Sequence, residues 1–193
     1  MSLLQQKNTL SPEEYLAEEQ QATLRHEYVA GTIYAMAGAG EQHNRIAGNV
    51  FFQLRAKARG SRCGVFMSDM KLRIDQGVCF YYPDVMLTCD TDDTEIHFKE
   101  NPCLTAEVSS PLTESIDRRE KLLAYKKIPS LNYYLIIAAN RQHIDYYQRD
   151  TNQNWQLATL ALNEVIHVQY GTGENAYEAG LCLEDIYEDV QWL

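Results

Sequence analysis

The sequence predicts a mixed α/β fold, in which a β-sheet is flanked by helices and preceded by an N-terminal helix and hairpin. Capping signals and apolar spacing mark three helical stretches, near residues 12–21, 41–59 and 113–128. The segments between and after them alternate, or run apolar and β-branched, as strands do. The order is helix, hairpin, helix, strands, helix, strands. It is neither a strict strand–helix alternation nor an all-β pattern, which leaves a mixed sheet as the economical architecture.

Ser11-Pro12-Glu13-Glu14 supplies an N-cap, a first-turn proline and a glutamate three residues after the cap, opening a helix through about Gln21. Glu27 falls in that helix or just after it. Tyr28–Val29 and Thr32–Met36, with a glycine between them, read as a short hairpin. From Glu41 to about Arg59, Ile46, Val50 and Leu54 recur every four residues beside Ala47, Phe51 and Ala58, the stripe of a helix facing a core. His43 lies one turn before that stripe.

Residues 63–75 then alternate like one half-buried strand, Gln76-Gly77 turns, and 78–90 returns as a second strand. Pro83 interrupts the pairing of that strand just before Asp84, a suitable place to aim a side chain into a cleft. Residues 90–101 form a polar loop, and Pro102–Val108 is an interior strand ending in Glu107 before Ser109-Ser110-Pro111 breaks it. Thr113 and Glu114 open a helix that stops before Pro129. Strands follow at 131–138, 143–149 and 155–160. A hairpin or edge strand near 165–168, a Gly-Thr-Gly turn and an acidic segment at 181–189 end the chain.

A length of 193 residues suits a single domain, 1–193, with residues 150–193 as an acidic C-terminal extension. No apolar run reaches the roughly 20 residues of a membrane helix, and the N-terminus has no signal-peptide pattern. A cytoplasmic protein without a membrane partner is the expectation. The five cysteines are scattered and contain no Cys-x-x-Cys pair, so they indicate neither a disulfide framework nor a zinc site and read as small buried apolar residues. Net charge is −10, but all 17 Lys and Arg lie before residue 150, together with 19 of the 27 acids. The acidity belongs to the C-terminal stretch and does not exclude a nucleic-acid partner for the rest.

Asp84 and Glu107 each stand near a strand end, and adjacent strand ends would bring them together. Two convergent carboxylates suit Mg²⁺ or Mn²⁺, which prefer oxygen ligands. Such an ion activates water and neutralises charge on a phosphate, and a nearby lysine stabilises the developing charge. On the following helix Asp117, Lys121 and Tyr125 share one face, which points Lys121 toward the site.

These stretches, RHEYVAGTIYAMAG, EQHNRIAGNV, YYPDVML and AEVSSPLTESIDRREKLLAYKKIPSLNYYLI, resemble the restriction-endonuclease-like family of Uma-two type, in the PD-(D/E)XK nuclease superfamily. The resemblance spans about residues 11–150. It implies a PD-(D/E)XK core in which Asp84 and Glu107 bind metal. Glu27, the family's glutamate before the first hairpin, would act as a further metal ligand, and His43 would complete the site. The superfamily's lysine two residues after the second acid falls on Ser109 here; similar families supply that lysine from the following helix, so the resemblance points to Lys121 for the role. A metal-dependent endonuclease acting on DNA as a homodimer is the function implied. Two alternatives remain open: a non-catalytic interaction module that keeps the fold, and a metal-dependent hydrolase of RNA or nucleotides.

Overall fold

In the computed structural model, residues 9–36, 38–111, 113–173 and 176–192 are described. The N-terminal residues expected to carry no export signal, and Glu174 of the acidic stretch, lie outside them. Helix α1 spans Pro12–Glu19, and its capping box forms as the sequence dictates: the Ser11 hydroxyl accepts from the Glu14 N–H while the Glu14 carboxylate accepts from the Ser11 N–H. Strands β1 (His26–Val29) and β2 (Thr32–Ala35) make the expected hairpin. Its Gly31 has φ of +90° and passes so close to Thr9 that a Cβ would lie 2.6 Å from the threonine Cβ. Glu27 therefore sits within a strand rather than at a helix end.

Helix α2 (Glu41–Ala58) buries the predicted stripe of Ile46, Ala47, Val50, Leu54 and Ala58. The next two stretches differ from expectation. Residues 63–75 form two strands, β3 (Gly64–Met67) and β4 (Lys71–Ile74), and residues 78–90 form β5 (Cys79–Tyr81) and β6 (Val85–Thr88). Each apparent long strand crosses from one sheet to another midway, at residues 68–70 and at Tyr82-Pro83-Asp84. The buried phase shifts from Val65 to Leu72 and Ile74 across the first crossing, and β5 and β6 are buried on both faces, so the second leaves no change of alternation to read. The loop 90–101 contains a short strand, β7 (Phe98–Lys99), and β8 covers Pro102–Ser109.

Helix α3 (Glu114–Ile116) continues without a break through a π-helical turn, Asp117–Lys121, into α4 (Leu122–Tyr125). Strands β9 (Tyr133–Ala138), β10 (Ile144–Arg149) and β11 (Trp155–Thr159) follow. Then come β12 (Ile166–Tyr170) and β13 (Tyr177–Leu181), which pair as a hairpin, the first of the two expected alternatives, and the short helix α5 (Leu183–Ile186).

The main sheet has the order β11-β10-β9-β8-β6-β3, with β8 and β9 parallel and its other pairs antiparallel. A second sheet runs β2-β1-β5-β4-β7, and β12 pairs with β13 alone. The mixed α/β fold expected from the sequence is what forms. One face of the main sheet packs Val85, Leu104, Ala106 and Leu135 against α2; Ile166, Val168, Tyr177 and Leu181 of the acidic C-terminal stretch join the same core. The opposite face packs Met86, Tyr134 and Ile136 against Tyr125, Leu72 and Tyr81.

The structure also corrects the cysteine reading. Cys63 and Cys89 are joined as a disulfide, because antiparallel pairing of β3 with β6 sets their flanking residues side by side. Nothing local in the sequence records a cross-strand pairing of this kind. Cys79 and Cys103 are buried free thiols, as expected.

Candidate active site

The site forms where the two sheets part company. Val85 pairs with Ala106, so Asp84, one residue before β6, stands across from Glu107 on β8. The Val108 N–H donates to Asp84 Oδ2 at 2.7 Å, which fixes the aspartate against the strand carrying Glu107. The other oxygen, Oδ1, lies 2.9 Å from His43 Nε2. Helix α2 delivers that imidazole from its first turn, because the Ile46–Leu54 stripe locks the helix onto the sheet.

Lys121 provides the charge at the centre. Its Nζ lies 2.9 Å from Glu27 Oε1, 3.2 Å from Glu107 Oε2 and 3.9 Å from Asp117 Oδ1. The π turn places Asp117 and Lys121, and α4 places Tyr125, on one buried face, as the i, i+4, i+8 spacing anticipated. Tyr125 donates its hydroxyl to Glu107 Oε1 at 2.5 Å, so each oxygen of that carboxylate has one protein partner. Ser109, where the superfamily lysine would stand, donates to Asp117 Oδ2 at 2.6 Å. Tyr134 donates to the Asp117 carbonyl at 3.0 Å.

These contacts set the protonation chemistry. Burial pushes the Glu107 carboxyl well above the ordinary carboxylate range, against the pull of Lys121, while Asp117, Asp84 and Glu27 add to the rise. Burial likewise raises Asp117, opposed by Lys121 and the Ser109 hydroxyl. For Lys121 burial works the other way, but Glu107, Glu27 and Asp117 outweigh it and hold the ammonium above the ordinary lysine value. Burial also works to lower His43, and the bond to Asp84 outweighs it, leaving the imidazole more basic than usual.

Asp84, Glu107, Lys121, Glu27 and His43 thus gather in one place. Glu27 is engaged by Lys121 and, at 3.4 Å, by the Tyr82 N–H. Among the described residues no three His, Cys, Asp or Glu side chains converge as a metal cage. Sequence reasoning assigned no role to Asp117, Tyr125 or Ser109. The helix-face spacing of the first two was the available signal, and Ser109 gave none beyond its motif position.

The mixed sheet flanked by helices, with this charged cluster where its two sheets diverge, is a restriction-endonuclease-like fold. A solved protein from Anabaena variabilis ATCC 29413, described as a "putative nuclease", matches with a TM-score of 0.69 at 14% identity, covering 92% of this chain and 97% of its own. The Uma2 family model, described as "Putative restriction endonuclease", matches residues 12–173, and the chain belongs to that family. Two uncharacterized Synechocystis proteins are also similar. One, slr1290, is 37% identical over 83% of this chain and 85% of its own length; the other, sll1609, is 34% identical over 78% and 87%.

Proposed function

We propose that the protein is a Mg²⁺- or Mn²⁺-dependent endonuclease that hydrolyses phosphodiester bonds of DNA. The observation that carries this reading is the juxtaposition of Asp84 and Glu107 on neighbouring strands with Lys121 at 3.2 Å from Glu107. The donor set suits a hard divalent ion. Asp84 and Glu107 offer carboxylate oxygens with lone pairs to spare, and Mg²⁺ commonly takes one or two carboxylates and fills its remaining positions with water. When bound, such an ion supplies an activated water and neutralises phosphate charge.

The protein's own residues do the rest. Lys121 presents a fixed positive charge to the phosphate as negative charge builds on its oxygens. Glu27 and Asp117 hold that ammonium in place from either side, so Glu27 serves Lys121 in this reading rather than the metal. His43 orients Asp84 through Oδ1, as a hydrogen-bonded partner orients a ligating carboxylate. Tyr125, whose own pKa burial raises far above working pH, stays a donor and fixes the Glu107 rotamer.

Cutting both strands of a duplex calls for two such sites, and the reading includes a homodimer in the cytoplasm. The edge strand β11 offers the contact. Residues 155–162 carry no charge, and Leu157 and Leu162 are 58% and 74% exposed. An uncharged edge accepts antiparallel pairing with a second copy.

The test titrates Mn²⁺ and Mg²⁺ calorimetrically into wild type and Asp84→Ala/Glu107→Ala, followed by incubation with supercoiled DNA and with RNA. Metal binding and DNA nicking present in wild type and absent from the double mutant are expected. Undiminished cleavage by the mutant would overturn the reading, and cleavage of RNA alone would reassign the substrate.

A further inference from the structure

Three lysines are buried among the described residues, and two of them have obvious partners. Lys99 donates to the carbonyls of Asp93 and Glu95, and Lys121 sits among carboxylates. Lys71, the first residue of β4, does not fit that pattern. It is 8% exposed, yet among the described residues no oxygen lies within hydrogen-bond or ion-pair reach of its Nζ. Its close neighbour is the face of the Tyr82 ring, 5.4 Å from the ammonium. The tip still meets solvent, since Thr105 Oγ1 is the fully sealed polar side-chain atom without a partner among the described residues. Burial lowers the Lys71 pKa, the charge of Glu19 opposes this in part, and the charge of Arg25 reinforces it.

Its position gives this spare charge a meaning. Tyr82 lies two residues before Asp84, and the turn that leads into Lys71 hangs from Asp84 itself, its Ser68 N–H donating to the Asp84 carbonyl at 3.2 Å. Arg25 reaches the same turn through Asp69 at 3.3 Å, in a pair whose side chains are 44% and 82% exposed. An exposed pair of this kind contributes little and exchanges partners readily. Two cations thus flank Tyr82 beside the catalytic aspartate. A largely buried ammonium with no anion in contact, offset only in part by the charge of Glu19, is costly to the free protein, and an incoming anion offsets that cost. A nucleic-acid backbone brings one phosphate after another past such a point.

We propose that Lys71, assisted by Arg25, clamps a backbone phosphate neighbouring the one that faces Asp84 and Glu107. The inference rests on the nuclease reading and adds to it a positioning residue that holds the strand in register without touching the reacting atoms.

The test follows binding of a fluorescent single- or double-stranded oligonucleotide in EDTA, over a range of salt, by wild type, Lys71→Met and Lys71→Arg. Lys71→Met should reduce the slope of log K against log salt by about one, Lys71→Arg should restore it, and Lys71→Met should melt at a higher temperature than wild type when free. The rise in melting temperature separates a ligand-directed charge from a structural one, which would melt lower on removal. An unchanged slope in Lys71→Met beside normal wild-type binding would overturn the clamp alone. Failure of wild type to bind any oligonucleotide would overturn the clamp and the nuclease reading together.

Discussion

Lys121 is held by opposite charge from three sides, and its removal exposes how much the site depends on it. Lys121→Met would leave Glu107, Asp117 and Glu27 facing one another with no cation between them. Stripping one partner from a buried ion-paired group costs about 3–5 kcal/mol. Chemical denaturation of the variant should show a loss of that order, with nuclease activity lost as well. Tyr125→Phe makes a subtler change: Glu107 Oε1 loses its hydroxyl partner in a buried setting, at about 1–3 kcal/mol. Beside this site, Asp145 on β10 accepts from Thr159 at 2.5 Å and pairs with Arg118 at 2.7 Å and with His143 at 3.2 Å. Burial works to raise its pKa, but the Thr159, Arg118 and His143 bonds outweigh it and leave the carboxyl below the ordinary aspartate value. A depressed carboxyl contributes stability that is present above the ordinary pKa of about 4 and lost as pH falls through the folded value. Melting temperature against pH should therefore show a shallower acid limb in Asp145→Asn than in wild type, and identical limbs would refute the assignment.

The decisive element is the π-helical turn Asp117–Lys121 between α3 and α4. A π turn accommodates one residue more than the α-helix, and here it lets Asp117 bond Ser109 while Lys121 reaches Glu27 and Glu107. Deleting Arg119 should restore a regular helix. It must then rotate one end relative to the other by about 100°, which breaks either the Asp117–Ser109 or the Lys121–Glu107 contact. Retained helicity by circular dichroism with nuclease activity lost is the expected outcome, and full activity would show the turn to be incidental. At this scale the sequence was partly legible. The capping box, the α2 stripe and the β8 run were readable because each depends on neighbours within a few residues. The strand breaks at 68–70 and 82–84 were not, because which sheet each half joins is set by distant partners, and β5 and β6, buried on both faces, show no alternation to interrupt.

At the scale of the whole molecule, the C-terminal stretch shares its core with α2 and β8, Ile166 and Leu181 lying beside Leu54 and Leu104. We read residues 1–193 as one domain, in which case thermal unfolding is a single cooperative transition followed equally by near- and far-ultraviolet dichroism. The uncharged β11 edge carries the dimer reading. Leu157→Lys should place like charges across a two-fold axis and shift light-scattering mass from dimer to monomer. A wild type that is monomeric at working concentration would remove that interface.

The sequence by itself determined the mixed α/β class and the helix starts, because these rest on local spacing, and its resemblance to the family singled out Asp84, Glu107, His43, Glu27 and Lys121 as candidates for the site. Only the tertiary structure decided what each of them touches. It showed that Lys121 engages Glu27 as well as Glu107, that Ser109 supports Asp117, that Cys63 meets Cys89, and that the Lys71 ammonium lies over the Tyr82 ring. Those contacts join residues from eight to more than ninety positions apart, brought together by packing of the whole core, and no local pattern in the chain encodes them.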